Sequence, residues 1–265
     1  IKFLVDDGSY RYILSGSLLG IELKDLRSEP VGYMGVKDMY PLDFEEFISC
    51  VGINNTVIGA LREAWQNRTA VDEFIHGKIL ELFRLYLVVG GMPAAVNKYL
   101  ESNNLQEVMT VQQDIIRLYK RDIAQYDPNN KLYIEEIFNL IPPELNAKNK
   151  RFILKTLNEN FKFSRYESSF LWLKNEQGEL DFVIEDQGHV LPIEIKSGKD
   201  YQSHSALNKV VSNAQYDIPQ AAVFSNKNPS QKGKTVYYPI YMLMFQKKQS
   251  ELAEMIYRPD FSALM

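Results

Sequence analysis

Several common signals are scarce or missing in this 265-residue chain. It has one cysteine, Cys50, so no disulfide can form within it, and such usage fits a reducing cytoplasm. No apolar run reaches the roughly 18 residues a membrane helix needs, and no signal peptide opens the chain. The expectation is a cytoplasmic protein with no membrane partner. Positive charge is not in excess: the formal net charge is −4. Any contact with nucleic acid must therefore come from a local basic patch, not a global field. His76, His189 and His204 show no metal-ligand spacing, and each is expected at the surface or partly satisfied. There is no cysteine cluster, no G-x-S-x-G, no internal repeat and no low-complexity tract. A phosphate-cradling G-x-x-x-x-G-K-[ST] is absent too. The nearest string is Gly233-Lys234-Thr235, but the first glycine would have to stand at Asn228, and a strand follows in place of a helix. Without that loop, the chain as written is not expected to work as an ATPase.

What is present is ordinary for a globular protein: 45% hydrophobic and 24% charged residues. Helical periodicity falls on Pro41–Ile48, Thr56–Gln66, Ala70–Val89, Ala94–Leu100 and Leu105–Tyr126. Gly90-Gly91-Met92-Pro93 ends one helix and turns into the next. Tyr10–Ser15 reads as a buried strand close to the first residue, Ile1, which leads us to expect further chain ahead of it. Further short helices are expected at Tyr133–Ile141, Lys150–Leu157 and Ser164–Leu173. Ser203–Val211 reads as a helix, Gln220–Ser225 as a buried strand, Thr235–Phe245 as a long apolar segment, and Glu251–Met265 as a tail with a short helix.

The most informative stretch is Gly178–Ser197, GELDFVIEDQGHVLPIEIKS. Leu180–Glu185 and Val190–Lys196 are apolar runs separated by the turn signal Asp186-Gln187-Gly188, which predicts a β-hairpin. Side chains alternate between the faces of a strand, so Glu194 and Lys196 share one face while Ile193 and Ile195 take the other. Asp181 on the partner strand can lie beside them. Two carboxylates suit a hard divalent cation such as Mg²⁺, and the lysine suits a water or a phosphate charge.

This D-x(12)-E-I-K arrangement resembles the core motif of the PD-(D/E)xK nuclease superfamily. The resemblance implies Asp181 and Glu194 as ligands of Mg or Mn, and Asp181, Glu194 and Lys196 as catalytic residues. A third acid is not assigned, since Glu179 sits at the strand start. The stretch Leu171–Glu176 leaves no room for the acidic helix or the wing strands expected there, and missing residues would explain both gaps.

A second resemblance runs over nearly the whole chain. ILSGSLLG, YPLDFEEF, LYLVVGGMPAAV and QQDIIRLYKRDI follow the order seen in prokaryotic AAA+/STAND-like ATPases that carry a C-terminal domain of unknown function with a nuclease-like fold. That resemblance implies ATP and Mg as cofactors of the full-length protein, with Ser15 or Ser17 and the turn of Gly91 and Pro93 near bound nucleotide. The bundle at 131–173 is similar to a winged-helix unit, with Lys150, Arg151, Lys162 and Arg165 as its nucleic-acid candidates; a solvated helical face is the alternative.

The resulting fold expectation is a multidomain α/β protein. It comprises a remnant of a P-loop ATPase core (1–40), a helical lid (41–130), a winged-helix-like bundle (131–173) and a PD-(D/E)xK nuclease-like α/β domain (174–265). The expected function is that of an ATP-binding, DNA-associated protein with metal-dependent phosphodiester hydrolysis. The alternative is a regulatory or interaction ATPase whose nuclease-like domain is an inactive binding module. DNA and other protein subunits are the expected partners.

Overall fold

The structure, a computed structural model, describes residues 6–13, 37–126, 135–136, 138–142, 180–186, 189–198 and 200–246. The chain divides into two compact units, Ile1–Pro41 and Leu42–Met265. In the first, Tyr10 and Tyr12 meet edge-to-face at 6.5 Å, and the Ser9 hydroxyl donates to Asp7 at 2.7 Å. Residues 10–13 form no strand and are exposed, against the expectation for Tyr10–Ser15. A β-branched and aromatic run becomes a strand only where a neighbour accepts its ladder. No ladder reaches these residues within the described part of the chain.

The second unit opens with five helices, each start set by local chemistry. α1 (Phe44–Cys50) carries a capping box: Glu46 N–H donates to Asp43 Oδ1, and Asp43 N–H donates to Glu46 Oε2, both at 2.9 Å. Asn54 caps α2 (Asn55–Asn67), and Asp72 caps α3 (Glu73–Val89) by accepting from Phe74 and Ile75 N–H. α4 (Pro93–Ser102) has proline at its first helical position, where the missing N–H costs nothing. α5 (Leu105–Tyr126) follows. Helical residues recur at 135–136 and 138–142. Among the described residues no single helix is long and apolar enough to cross a membrane. α3 and α4 pass such a test only as a pair, bent by 119°.

A mixed five-stranded sheet follows in the order β1-β2-β3-β5-β4. β1 (Phe182–Asp186) and β2 (His189–Lys196) form the expected antiparallel hairpin. The chain then crosses through α6 (Ser205–Ser212) to β3 (Ala221–Ser225), which lies parallel to β2. β4 (Ser230–Lys232) turns through Gly233-Lys234 into β5 (Thr235–Pro239), which is parallel to β3. Gly233, at φ +59°, serves this hairpin turn and does not open a helix. The long apolar segment Thr235–Phe245 breaks at Pro239, which has no N–H to continue a ladder. Beyond it the chain winds into a 3₁₀ helix, Ile240–Phe245.

One face of the sheet carries Leu191, Ile193, Ala222, Phe224, Val236 and Tyr238, which join α1–α3 and the 3₁₀ segment in the main core. Trp65 of α2 lies 4.0 Å from the Tyr238 ring and 6.0 Å from Phe224. Of the three histidines, expected at the surface or partly satisfied, two lie inside with hydrogen-bond partners. His76 is buried, with Nδ1 3.0 Å from the Tyr241 hydroxyl and Nε2 3.3 Å from the Asn226 carbonyl. His204 is buried as well, while His189 is exposed. A spacing search cannot find burial of this kind, because each ring meets its partners across a long stretch of sequence.

Candidate active site

The opposite face of the sheet holds Glu194 and Lys196. Paired positions in a ladder project to the same side. The register aligns Glu194 with Val223 and Val223 with Tyr237. Lys196 aligns likewise with Ser225, and Ser225 with Pro239. Phe182 pairs with Ile193, so Asp181, one residue before it, stands across from Glu194. The structure thus brings Glu194 and Lys196 to one face, with Asp181 just ahead of β1 at the edge where β2 ends.

Glu194 is buried at 7% exposure. Its Oε1 accepts from Lys196 Nζ at 2.6 Å, while its Oε2 is shut from solvent and has no hydrogen-bond partner. A carboxylate oxygen held that way is costly. The Lys196 ammonium offsets only part of that cost, because its own side chain keeps 29% exposure. Asp181 is exposed, and its Oδ2 accepts from the Ile195 N–H at 2.7 Å. The lysine pairs with Glu194, and a backbone amide orients Asp181.

This donor set fits a hard cation. Glu194 Oε2 is an orphaned carboxylate oxygen, and Asp181 supplies a second carboxylate, bonded to the backbone N–H of the next residue along, Ile195. Among the described residues no group of three or more His, Cys, Asp or Glu gathers as a metal site, so the pair stands without a third acid there.

The sequence reading missed His204 and Tyr237. Tyr237 shares the face of Glu194, and its hydroxyl lies 2.8 Å from His204 Nε2. Burial, and then the neighbouring Tyr201, push the Tyr237 pKa above its ordinary value. Tyr237 lay inside a run legible only as one long apolar segment, whose partner strands the sequence did not mark. Leu207, Ala221, Val223 and Tyr237 make a small second core beneath α6.

The other candidates lie elsewhere. Gly91 is buried, its carbonyl accepts from Leu42 N–H at 2.8 Å, and a Cβ there would overlap the Leu42 carbonyl. Tyr86 hydroxyl donates to that same Leu42 carbonyl at 2.8 Å. The turn thus docks the LDF segment onto α3, and Pro93 is exposed at the head of α4. Ser15, Ser17, Lys150, Arg151, Lys162 and Arg165 lie outside the described residues.

Two stretches of the chain are similar to known families. Residues 80–177 match a domain of unknown function (DUF8612), and residues 151–243 match a domain of unknown function (DUF4143). DUF4143 is found in some families alongside AAA ATPase domains. No curated protein and no solved structure matches the chain. The five-stranded sheet, and with it Asp181, Glu194 and Lys196, falls wholly within the DUF4143 match.

Proposed function

We propose that the Asp181–Glu194–Lys196 face is a metal-dependent phosphodiester-hydrolysis site acting on DNA, within a protein that binds ATP through a P-loop module joined to this chain. The observation that carries the reading is the buried Glu194 carboxylate, with one oxygen paired to Lys196 and the other unpartnered. Asp181 and Glu194 would hold Mg or Mn, which when bound would polarise the phosphoryl oxygens and lower the pKa of a coordinated water. Lys196 places a positive charge where negative charge builds on the phosphate. The Ile195 N–H holds the Asp181 carboxylate against the residue next to Glu194. The ATP-binding part of the proposal draws support from the company DUF4143 keeps with AAA ATPase domains.

A second reading makes this face an inactive binding module in a regulatory ATPase. It is favoured by the presence of only two carboxylates at the site among the described residues. The two readings separate in one experiment on the full-length protein. Cleavage of DNA with Mg²⁺ or Mn²⁺ that disappears in Glu194→Ala, with the circular dichroism spectrum unchanged, supports hydrolysis. Cleavage that persists in Glu194→Ala removes this site as its source. Absence of cleavage in the wild-type protein with either metal favours the binding module.

A further inference from the structure

Strands β2, β3 and β5 run parallel, so their carboxyl ends lie along one edge of the sheet, where Lys196 ends β2. Open α/β sheets bind ligands beyond such ends. Ser225, the last residue of β3, is aligned with Lys196 and buried at 1% exposure. The segment that follows, Asn226-Lys227-Asn228, is neither helix nor strand, yet it is anchored along its length. Ser225 Oγ accepts from the Lys227 N–H at 3.2 Å. The Asn226 carbonyl lies 3.3 Å from Nε2 of the buried His76. The Asn228 side chain pairs with the main chain of Val71 in both directions, accepting from its N–H and donating to its carbonyl, each at 2.9 Å. It also donates to Glu73 Oε2 at 3.1 Å.

Lys227 is the exception within this fixed loop. It is exposed between two anchored asparagines, and its ammonium has no carboxylate at ion-pairing distance among the described residues. Solvated lysines are common on any surface; position sets this one apart. Neighbouring strands stand about 4.8 Å apart and two residues reach at most about 7 Å, so the Lys227 backbone lies within about 12 Å of the Lys196 backbone. At about 3.4 Å of rise per nucleotide, that is a reach of roughly three nucleotides. Two cations so spaced along one edge suit the phosphates of a single strand. With a net charge of −4, the chain leaves such contacts to local lysines. Because the loop is already fixed, binding has only the Lys227 side chain to order.

We propose that Lys227 contacts a phosphate of the nucleic-acid strand whose scissile bond lies at Lys196, holding that strand in register with the Asp181–Glu194–Lys196 site. The scissile bond rests on the hydrolytic reading above; the phosphate contact does not. The contact reads no base, because a lysine meets phosphate as a point charge.

The test is the salt dependence of DNA binding by the full-length protein in EDTA, followed by fluorescence anisotropy with two duplexes of unrelated sequence. Each phosphate neutralised by a lysine contributes about 0.9 to the slope of log K against log salt. Lys227→Ala should lower the slope by about that amount on both duplexes and weaken binding about threefold to tenfold at low salt. Lys227→Arg keeps the charge and should keep slope and affinity. Lys232→Ala, on β4 at the far edge of the sheet, should change neither. An unchanged slope in Lys227→Ala overturns the proposal. So does an equal loss in Lys232→Ala or Lys227→Arg, a loss confined to one duplex, or a wild-type protein that binds neither duplex. The two readings fail separately. The expected slope change in a protein that cleaves no DNA with Mg²⁺ or Mn²⁺ ends the hydrolytic reading and leaves the phosphate contact standing. Cleavage that Glu194→Ala abolishes, with the slope unchanged in Lys227→Ala, does the reverse.

Discussion

The two faces of the sheet are built from alternate residues of the same strands, yet they are finished differently. On one, Ile193, Phe224, Val236 and Tyr238 lie beneath three helices and the 3₁₀ segment. On the other, Ala221, Val223 and Tyr237 are covered by the eight-residue α6, and Glu194 and Lys196 take positions that apolar residues could have filled. The difference shows where stability is gathered and where it is given up. A face that must bury a carboxylate beside an ammonium does so at a cost, and the opposite face supplies the apolar packing that offsets it.

Four substitutions test that division and the joins around it, taken from the largest expected effect downward. Phe224→Ala should cost about 3–5 kcal/mol, because a fully buried aromatic leaves a cavity beneath Trp65. Urea denaturation followed by tryptophan emission should show it, with the helices and the sheet losing structure together. Leu207→Ala, on the α6 side, should cost less and leave the Trp65 emission maximum in place; an equal or larger loss would erase the distinction between the faces. Gly91→Ala should cost about 1–3 kcal/mol, because the new methyl meets the Leu42 carbonyl backbone. Pro93→Ala, by comparison, should change stability by less than about 1 kcal/mol. If Pro93→Ala instead lowers ATP affinity in the full-length protein at unchanged melting temperature, the turn has a nucleotide contact beyond its packing role.

A last effect concerns the join between helices and sheet, and it depends on pH. Burial, and secondly the Glu73 charge, raise the Tyr241 pKa above its ordinary value. The folded protein thus favours the neutral phenol. Stability from this source is fully present below about pH 10, the ordinary tyrosine value, and is lost as pH climbs above it. Tyr241→Phe removes the hydroxyl partner of His76 Nδ1 and should cost about 1–2 kcal/mol near neutral pH. The variant should then lose less than wild type between pH 10 and 11. A parallel decline of the two proteins in thermal melts would place the alkaline sensitivity elsewhere.

Local signals carried the sequence reading a long way. The hairpin was legible because Asp186-Gln187-Gly188 separates two runs of period two, and the same period put Glu194 and Lys196 together. Helix starts were legible to within a few residues, since Asp43, Asn54, Asp72 and Pro93 mark them. What stayed hidden depends on partners distant in sequence. The unpartnered Glu194 oxygen follows from how β2 is covered, not from anything beside Glu194 in the chain. Burial of His76 requires Tyr241, 165 residues away. Three-residue β4 is polar and exposed, and only its turn at Gly233 betrays it. Tyr10–Ile13 had strand composition without a ladder to join.

The 3₁₀ segment Ile240–Phe245 has a consequence for the order of biosynthesis. Tyr241, Met242 and Met244 plug the space among helices that begin at Phe44, and Tyr241 completes the bonds of His76. A ribosome delivers those helices first and their plug last. At about 5–20 residues per second the wait is of order ten seconds. During it, the apolar faces of α1–α3 have no finished partner. A nascent chain stalled before Ile240 should be bound by chaperones and cut readily by protease, and release of the 3₁₀ segment should protect helices made well over a hundred residues earlier.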